Sequence, residues 1–146
     1  MAGTNLILSA DMNQAFSNVN MLSPDARSYS FDHRANGYGR GEGTGTLVIK
    51  RLADAIRDGD TIRAVIRSAG SNQDGLTPSG IMQPSGTAQA GLIRDTYARA
   101  GLSMEPTRFF EAHGTGTQVG DPIECNALGD AFRGVRTIND PLFVYA

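Results

Sequence analysis

Short runs of apolar residues alternate along the chain with segments in which apolar residues recur every three or four positions. The short runs predict β-strands, and they lie at 5–8, 46–52, 62–69, 107–112 and 142–145. The longer period predicts helices, at 12–19, at 54–58, between Ser85 and Gly101, and between Asp121 and Gly134. Strands that alternate with amphipathic helices predict a layered α/β fold.

Two of the predicted helices carry start and stop signals. Ser85 is a predicted N-cap, and Gly101 suits the C′ position at the other end of that helix. Asp121 is the predicted N-cap of the last helix, followed by Pro122 at the first helical position. Glu124 completes a pattern like a capping box. The apolar stripe of this helix is predicted to contain Ile123, Ala127, Leu128, Ala131 and Phe132.

Composition and charge exclude several classes of protein. The 146 residues include 13 Lys plus Arg and 15 Asp plus Glu, and the net charge of −2 argues against binding to nucleic acid or a membrane surface. No run of about 18 apolar residues is available to span a membrane. The single cysteine, Cys125, excludes an internal disulfide framework and a cysteine-rich zinc site. A cytoplasmic location is therefore expected.

Glycine is enriched in two loop segments, 37–45 and 114–120. It makes up 18 of 146 residues, or about 12%, against a usual level of roughly 7%. Neither segment fits the dinucleotide fingerprint G-x-G-x-x-G. The glycines of the first segment alternate strictly, and the third glycine of the second segment lies one position later than the fingerprint requires. The only lysine, Lys50, follows Ile49 and not a glycine, so a Walker A loop is absent too. We therefore disfavour nucleotide binding.

His113 is the strongest candidate for chemistry. It follows the predicted strand at 107–112 and precedes GTGT, so it lies at the sheet edge where α/β folds bind ligands. Gly114 and Gly116 allow a close approach of the backbone to a substrate, and Thr115 and Thr117 add hydroxyl groups. From position alone, a catalytic or ligand-binding histidine and a buried, hydrogen-bonded histidine are both compatible with the pattern.

Two further residues allow both a functional and a structural interpretation. Cys125 lies in the first turns of the last helix, where a helix N-terminus activates thiols, but a small packed side chain is the simpler interpretation. His33 lies between Asp32 and Arg34, which favours a solvated or loop-ordering role. His33, His113 and Cys125 show no metal-ligand spacing, so no metal site is predicted.

Five segments together resemble one enzyme family. EAHGTGTQVGDPIE resembles the histidine motif of β-ketoacyl synthases, the condensing domains of type I polyketide synthases. The other four segments precede this motif and occur in the family's order and spacing, so the resemblance covers essentially the whole chain. The style of the motifs resembles fungal polyketide synthases and leaves the reducing class open. The segments are NLIL to NMLSPD at 5–25, SFDHRANGYGRGEG at 30–43, NQDG at 72–75, QPSGTAQ at 83–89, and the histidine motif at 111–124.

The resemblance implies a thiolase-like α/β fold built from two related halves. Residues 1–146 would hold the end of the N-terminal half and the start of the C-terminal half. Two family motifs have no match: the D-T-A-C-S-S segment with the nucleophilic cysteine, and the K-x-N-x-G-H segment with a lysine and a second histidine. Cys125 and Lys50 do not occupy those positions. We therefore expect an internal piece of a ketosynthase domain.

The resemblance also implies a reaction and roles for five residues. In the family, an acyl thioester undergoes decarboxylative Claisen condensation with malonyl-acyl carrier protein. His113 matches the first catalytic histidine, and Thr115 and Thr117 match residues that hydrogen-bond the phosphopantetheine arm. Asp121 and Glu124 match acidic residues that cap the helix and order the site.

The implied partners are the acyl carrier protein, acyl and malonyl thioesters, adjacent polyketide synthase domains and a second subunit in a homodimer. Substrates are carried on phosphopantetheine, and no directly bound cofactor is expected. Two alternatives remain. One is a non-catalytic ketosynthase-like domain that binds carrier-borne acyl chains. The other is a thiolase or chalcone-synthase-like enzyme acting on coenzyme A thioesters, although those families lack the EAHGTGT-x-x-GDPIE form.

We predict that the isolated 146-residue chain is inactive and folds poorly, because it lacks the nucleophile motif and its last predicted strand has a free edge. Thermal unfolding followed by circular dichroism should show no cooperative transition. A sharp, reversible transition would contradict this expectation.

Overall fold

The computed structural model describes residues 1–78, 80 and 82–146, and these form four helices and four strands. The mixture of helices and strands agrees with the predicted α/β class. In chain order the elements are β1 (Ala2–Asn5), α1 (Ala10–Asn18), β2 (Gly43–Thr46), α2 (Leu52–Arg57), α3 (Gly86–Ala100), β3 (Phe109–Glu111), α4 (Gly120–Ala131) and β4 (Phe143–Tyr145).

A strand–helix–strand unit forms the centre of the C-terminal part. β3 and β4 are parallel, with Phe109 opposite Phe143 and Glu111 opposite Tyr145. Parallel neighbours need a crossover connection, and α4 provides it. The pairing continues one residue further, because the Ala112 N–H donates to the Tyr145 carbonyl at 2.7 Å. The chain therefore leaves β3 next to the start of α4.

The core lies where α3 and α4 pack together against β3 and β4. Phe132, 3% exposed, forms edge-to-face pairs with Tyr97 and Phe110, whose ring centroids are 6.1 and 6.4 Å from its own. Such edge-to-face pairs add stability beyond the buried area. Most of the other buried positions are alanines, which allow the helices to approach closely. The buried cluster is Ala90, Ala127, Leu128, Ala131 and Phe132.

Two arginines hold segments around the core in place: Arg94 joins α3 to α4, and Arg136 binds the segment before β3. The Arg94 guanidinium on α3 donates to the Asp130 carboxylate on α4 at 2.6 Å, and it holds the pKa of that carboxyl below its ordinary value. The Arg136 side chain is 8% exposed and donates to the carbonyls of Glu105 (2.6 Å) and Thr107. Arg136 therefore fixes the turn that leads into β3.

Two strand predictions are displaced from the observed strands. β1 and β2 form an antiparallel pair in which Ala2 faces Thr46 and Asn5 faces Gly43, so the predicted strands at 5–8 and 46–52 are wrong in position. Small and polar residues pair here through their backbones. Of the apolar residues that suggested the strands, Leu47 exchanges backbone hydrogen bonds with Met1, whereas Leu8 and Val48 are 86% and 98% exposed.

The predicted strand at 62–69 is wrong. Among the described residues, no strand lies within 62–69, and no other strand pairs with this segment. A strand needs a neighbour for its N–H and C=O groups, and alternating apolar residues do not replace that neighbour. Val65 and Ile66 are consequently exposed.

The helix predictions are confirmed more closely. The Ser85 hydroxyl accepts from the Ala88 N–H at 3.2 Å, and Gly101 ends α3 with a φ of +63°. The buried residue of α3 is Ala90, which is 1% exposed. The short α2 ends just before Gly59, as predicted, and no residue of α1 is buried.

Replacing Phe132 with Ala should destabilise the larger domain expected to carry this chain by about 3–4 kcal/mol, because it leaves a cavity between both helices and β3. Urea unfolding of the purified domain measures this effect. Arg133→Ala is the control, since its side chain is 81% exposed and should matter by less than about 0.5 kcal/mol. Equal unfolding midpoints for the two variants would show that Phe132 is not central to the core.

Candidate functional site

His113 lies directly after β3, at the carboxyl end of a parallel strand, as the sequence predicts. Its side chain is exposed and borders a broad groove of about 1350 Å³. Thr115 and Thr117 line the same groove, together with an apolar wall that includes Met21 and Val119. The exposure of His113 agrees with a catalytic or ligand-binding role, which remains a prediction.

The Glu124 carboxylate fixes the backbone at His113. One oxygen accepts from the His113 N–H at 2.7 Å, and the other accepts from the Gly114 N–H at 2.9 Å. Hydrogen bonds to an ionised acceptor are among the stronger kinds in proteins. Glu124 therefore connects the first turns of α4 to the start of the loop that contains His113.

The Asp121 carboxylate performs the same task further along this loop. Asp121 is 4% exposed, and its carboxylate accepts from the Gly116 N–H and the Thr117 N–H, each at 3.1 Å. A third donor is the Phe31 N–H, at 2.8 Å. A buried carboxylate is costly without partners, and here backbone N–H groups from two separate loops supply them.

The predicted capping pattern of α4 is wrong in detail. The helix begins at Gly120 and its N-cap is Val119, so Asp121 lies inside the first turn. The Thr117 hydroxyl accepts from the Gly120 N–H at 3.1 Å and takes over a capping role. The carboxylate of Glu124 bonds to the preceding loop and not to the N-cap backbone. Local patterns cannot distinguish these two uses of an acidic first turn, because both satisfy N–H groups near a helix start.

Two glycines give the loop its path. Gly114 and Gly116 have φ values of +46° and +78°, a region that glycine adopts without strain. A Cβ atom on Gly116 would lie 2.6 Å from the Tyr29 nitrogen, and one on Gly114 would overlap Ala146. Both positions therefore require glycine for close packing as well as for conformation.

A second loop, which we call the docking loop (residues 28–39), packs against the His113 loop. The Gly37 N–H donates to the Gly116 carbonyl at 2.9 Å, and the Ser30 hydroxyl donates to the Gly114 carbonyl. Phe31 adopts a φ of +55°, which is rare for an aromatic residue. The sequence interpretation missed Ser30 and Phe31 individually, although the SFD motif contains both.

The glycine-rich segment 37–45 does not act as a single loop. Gly37 contacts the His113 loop, whereas Gly43 and Gly45 belong to β2 and pair with β1. The predicted loop at 37–45 is therefore divided between the docking loop and β2. Strictly alternating glycines fit an extended strand as well as a loop, and the spacing does not separate the two.

The two threonines lie side by side on the groove. Their hydroxyl oxygens are 3.4 Å apart, and both side chains are half-buried. The Thr117 oxygen already accepts from Gly120, so its proton remains free to donate. Thr115 and Thr117 thus offer hydroxyl donors and acceptors next to His113.

Three other polar residues lie away from this arrangement. Cys125 is exposed, so its interpretation as a packed side chain is wrong, because it lies outside the buried stripe of α4. Lys50 pairs with Asp58 at 2.6 Å and with Asp60, which raises the pKa of the lysine. The His33 side chain is 89% exposed beside Asp32, which confirms its solvated interpretation.

Within residues 1–78, 80 and 82–146, no group of three or more His, Cys, Asp or Glu side chains is arranged to hold a metal ion. None of the helices in this part of the chain is long and apolar enough to cross a membrane.

Two family models match the chain. Residues 1–55 match the beta-ketoacyl synthase, N-terminal domain, and residues 63–146 match the beta-ketoacyl synthase, C-terminal domain. The boundary agrees with the expectation that the chain joins the end of one half to the start of the other.

Curated relatives from fungi match the chain over its whole length. It is 57% identical over 146 residues to the highly reducing polyketide synthase NEC1 of Pyricularia oryzae, and 58% identical over 146 residues to the reducing polyketide synthase pksF of Alternaria solani. It is also 58% identical over 144 residues, 99% of the chain, to the highly reducing polyketide synthase alnA of Emericella nidulans. The chain spans only 5–6% of the length of these relatives.

Solved ketosynthase structures have the same fold over this region. The ketosynthase from module 6 of the bacillaene synthase from Bacillus subtilis 168 covers 92% of the chain with a TM-score of 0.88 and 44% identity. The oxazolomycin ketosynthase domain OzmH KS7 of Streptomyces albus JA3453 covers 98% with a TM-score of 0.91 and 35% identity. The chain covers 24% of each of those chains. These matches confirm the predicted thiolase-like α/β fold, of which the chain is a part.

Replacing Asp121 with Asn should loosen both loops, because one oxygen that now accepts N–H bonds becomes an NH2 group. We expect a local loss of about 1–3 kcal/mol. Hydrogen exchange in a complete ketosynthase domain carrying this sequence should become faster at Phe31, Gly116 and Thr117. Asp25→Asn is the control, since that exposed carboxylate meets the Asn36 side chain. Unchanged exchange at all three amides would contradict the role of Asp121.

Proposed function

The chain belongs to the β-ketoacyl synthase family, and we propose that it is part of a polyketide synthase ketosynthase that condenses an acyl thioester with malonyl-acyl carrier protein. One observation carries the proposal: His113 borders the groove on a loop whose backbone is held by two carboxylates of α4. An exposed imidazole on a rigid support suits catalysis, because fixed donors need no reorganisation during the reaction.

The proposed reaction is a decarboxylative Claisen condensation. The bond between the malonyl α-carbon and its carboxylate breaks and releases CO2, and its electron pair forms an enolate of the thioester. The enolate carbon then forms a bond to the carbonyl carbon of the acyl group, and the cysteine thiolate that carried the acyl group leaves. Negative charge develops on the enolate oxygen and on the attacked carbonyl oxygen, so both need hydrogen-bond donors.

In this proposal His113 donates its imidazole N–H to the malonyl thioester oxygen. A donor at this position stabilises the enolate that forms as CO2 departs. The position supports the assignment, because the side chain is exposed to the groove while its own backbone N–H is already bonded to Glu124. A substrate can thus bind the imidazole while the His113 backbone N–H stays bonded to Glu124.

Thr115 and Thr117 are proposed to bind the phosphopantetheine arm that carries the substrate. That arm contains amide groups, which need hydrogen-bond partners when they enter a groove. The two neighbouring hydroxyl groups provide donors and acceptors on the same wall as His113. The apolar part of the groove suits the methylene groups of the arm.

Asp121 and Glu124 are proposed to order the site and not to exchange protons. Their carboxylate oxygens are directed at backbone N–H groups of the loop that contains His113. They therefore act through His113 and the threonines.

The nucleophilic cysteine, the lysine and the second histidine belong, in this proposal, to segments before and after residues 1–146. The acyl carrier protein, adjacent synthase domains and a homodimeric arrangement are also part of it. The names of the relatives support this proposal, since each is a reducing or highly reducing polyketide synthase. The cytoplasmic location remains a prediction.

Replacing His113 with Ala in the complete ketosynthase domain should lower the rate of condensation at least about 100-fold, because a donor to the enolate oxygen is lost. Acylation of the nucleophile should remain measurable by mass spectrometry. His33→Ala is the matched control, because that imidazole is solvated and should leave both steps unchanged. Elongation at the parental rate by the His113 variant would refute the assignment. The absence of any cysteine that accepts an acyl group would favour a non-catalytic, chain-binding domain.

A further inference from the structure

The Ser30 hydroxyl is the one side-chain group of the docking loop, within the described residues, that donates to the backbone next to His113. It is part-buried and donates to the carbonyl oxygen of Gly114. Ser30 lies 84 positions before Gly114 in the chain, so this contact is created by the fold and not by local sequence.

Three consecutive peptide groups around His113 are thereby held. The Glu124 carboxylate takes the N–H groups of His113 and Gly114. Ser30 holds the next peptide by its carbonyl. This last peptide needs a restraint most, because Gly114 has a φ of +46° and no side chain to limit its rotation. Without the hydroxyl, the Gly114 carbonyl loses the one side-chain hydrogen bond that it has among the described residues.

The donor itself is held in place from α4. The Phe31 N–H, in the peptide that follows Ser30, donates to the buried Asp121 carboxylate at 2.8 Å. The Phe31 ring packs on Gly114, since ring atoms lie 3.1 and 3.3 Å from the position that a Gly114 Cβ would occupy. Phe31 keeps its strained φ of +55° in this arrangement, and such strain persists only where surrounding contacts hold it.

We propose that Ser30 is a positioning residue for His113, acting through the Gly114 carbonyl. α4 then fixes the imidazole from two sides: Glu124 holds the backbone on one side, and Asp121 holds the Ser30–Phe31 peptide on the other. This inference rests on the proposed role of His113. Small displacements of a catalytic group reduce rates strongly, because the donor no longer meets the oxygen that becomes charged.

The experiment compares Ser30→Ala, Ser30→Thr and Ser103→Ala in the complete ketosynthase domain. Ser30→Ala removes the hydroxyl, and Ser30→Thr keeps it. Ser103 is an exposed serine far from Ser30 in the sequence, and its hydroxyl accepts from the Glu105 N–H. Ser103→Ala therefore controls for the loss of a serine hydroxyl in general. Four quantities are measured: the rate of acylation of the nucleophile, the rate of decarboxylation of malonyl-carrier protein, and kcat and KM for condensation.

For Ser30→Ala we expect kcat for condensation and the decarboxylation rate to fall together by about tenfold. KM for malonyl-carrier protein and the acylation rate should change by less than about twofold, since the Ser30 hydroxyl donates to the Gly114 carbonyl and, among the described residues, to no group proposed to bind substrate. Ser30→Thr should restore most of the rate. A purely structural role would instead alter acylation, or would not be rescued by Thr.

Two results would overturn the inference. One is parental decarboxylation and condensation by Ser30→Ala. The other is an equal loss in Ser30→Ala and Ser30→Thr, because the effect would then come from side-chain shape and not from the hydroxyl. His113→Ala, measured in parallel, separates this failure from that of the proposed function. If His113→Ala lacks condensation while Ser30→Ala matches the parent, only the positioning role fails.

Discussion

The arrangement around His113 depends on two carboxylates that bind backbone N–H groups. Asp121 and Glu124 lie in the first turns of α4, and between them they accept from four N–H groups of the His113 loop and from Phe31. Without these acceptors, a loop with two glycines at positive φ would have many conformations. The helix is itself anchored in the core by Leu128 and Phe132, so its packing determines where the imidazole lies.

The sequence was informative where structure is decided locally. Ser85 and Gly101 bound α3 because capping needs only a hydroxyl near free N–H groups and a residue that tolerates positive φ. The position of His113 after β3 followed from a short apolar run and a glycine-rich loop. The family resemblance added the expected roles of Thr115 and Thr117, which geometry alone would leave as two hydroxyl groups on a groove.

Other features depend on partners distant in sequence and could not be predicted. The strand expected at 62–69 had the right alternation but lacks a paired neighbour among the described residues. Asp121 was expected to cap a helix, and an acidic residue in a first turn gives the same pattern whether it bonds to its own helix or to a separate loop. The contacts of Ser30 and Phe31 join residues 84 and 90 positions apart, beyond the reach of any local rule.

The Phe31–Asp121 bond also has a consequence for the order of folding. Closing a loop of about 90 residues carries a larger loop-closure cost than the shorter-range contacts within the β3–α4–β4 unit. The strand–helix–strand unit can therefore form first and present an open His113 loop, which the docking loop covers later. During synthesis on the ribosome, the docking loop emerges long before its acceptor, so the site assembles only after α4 has been made.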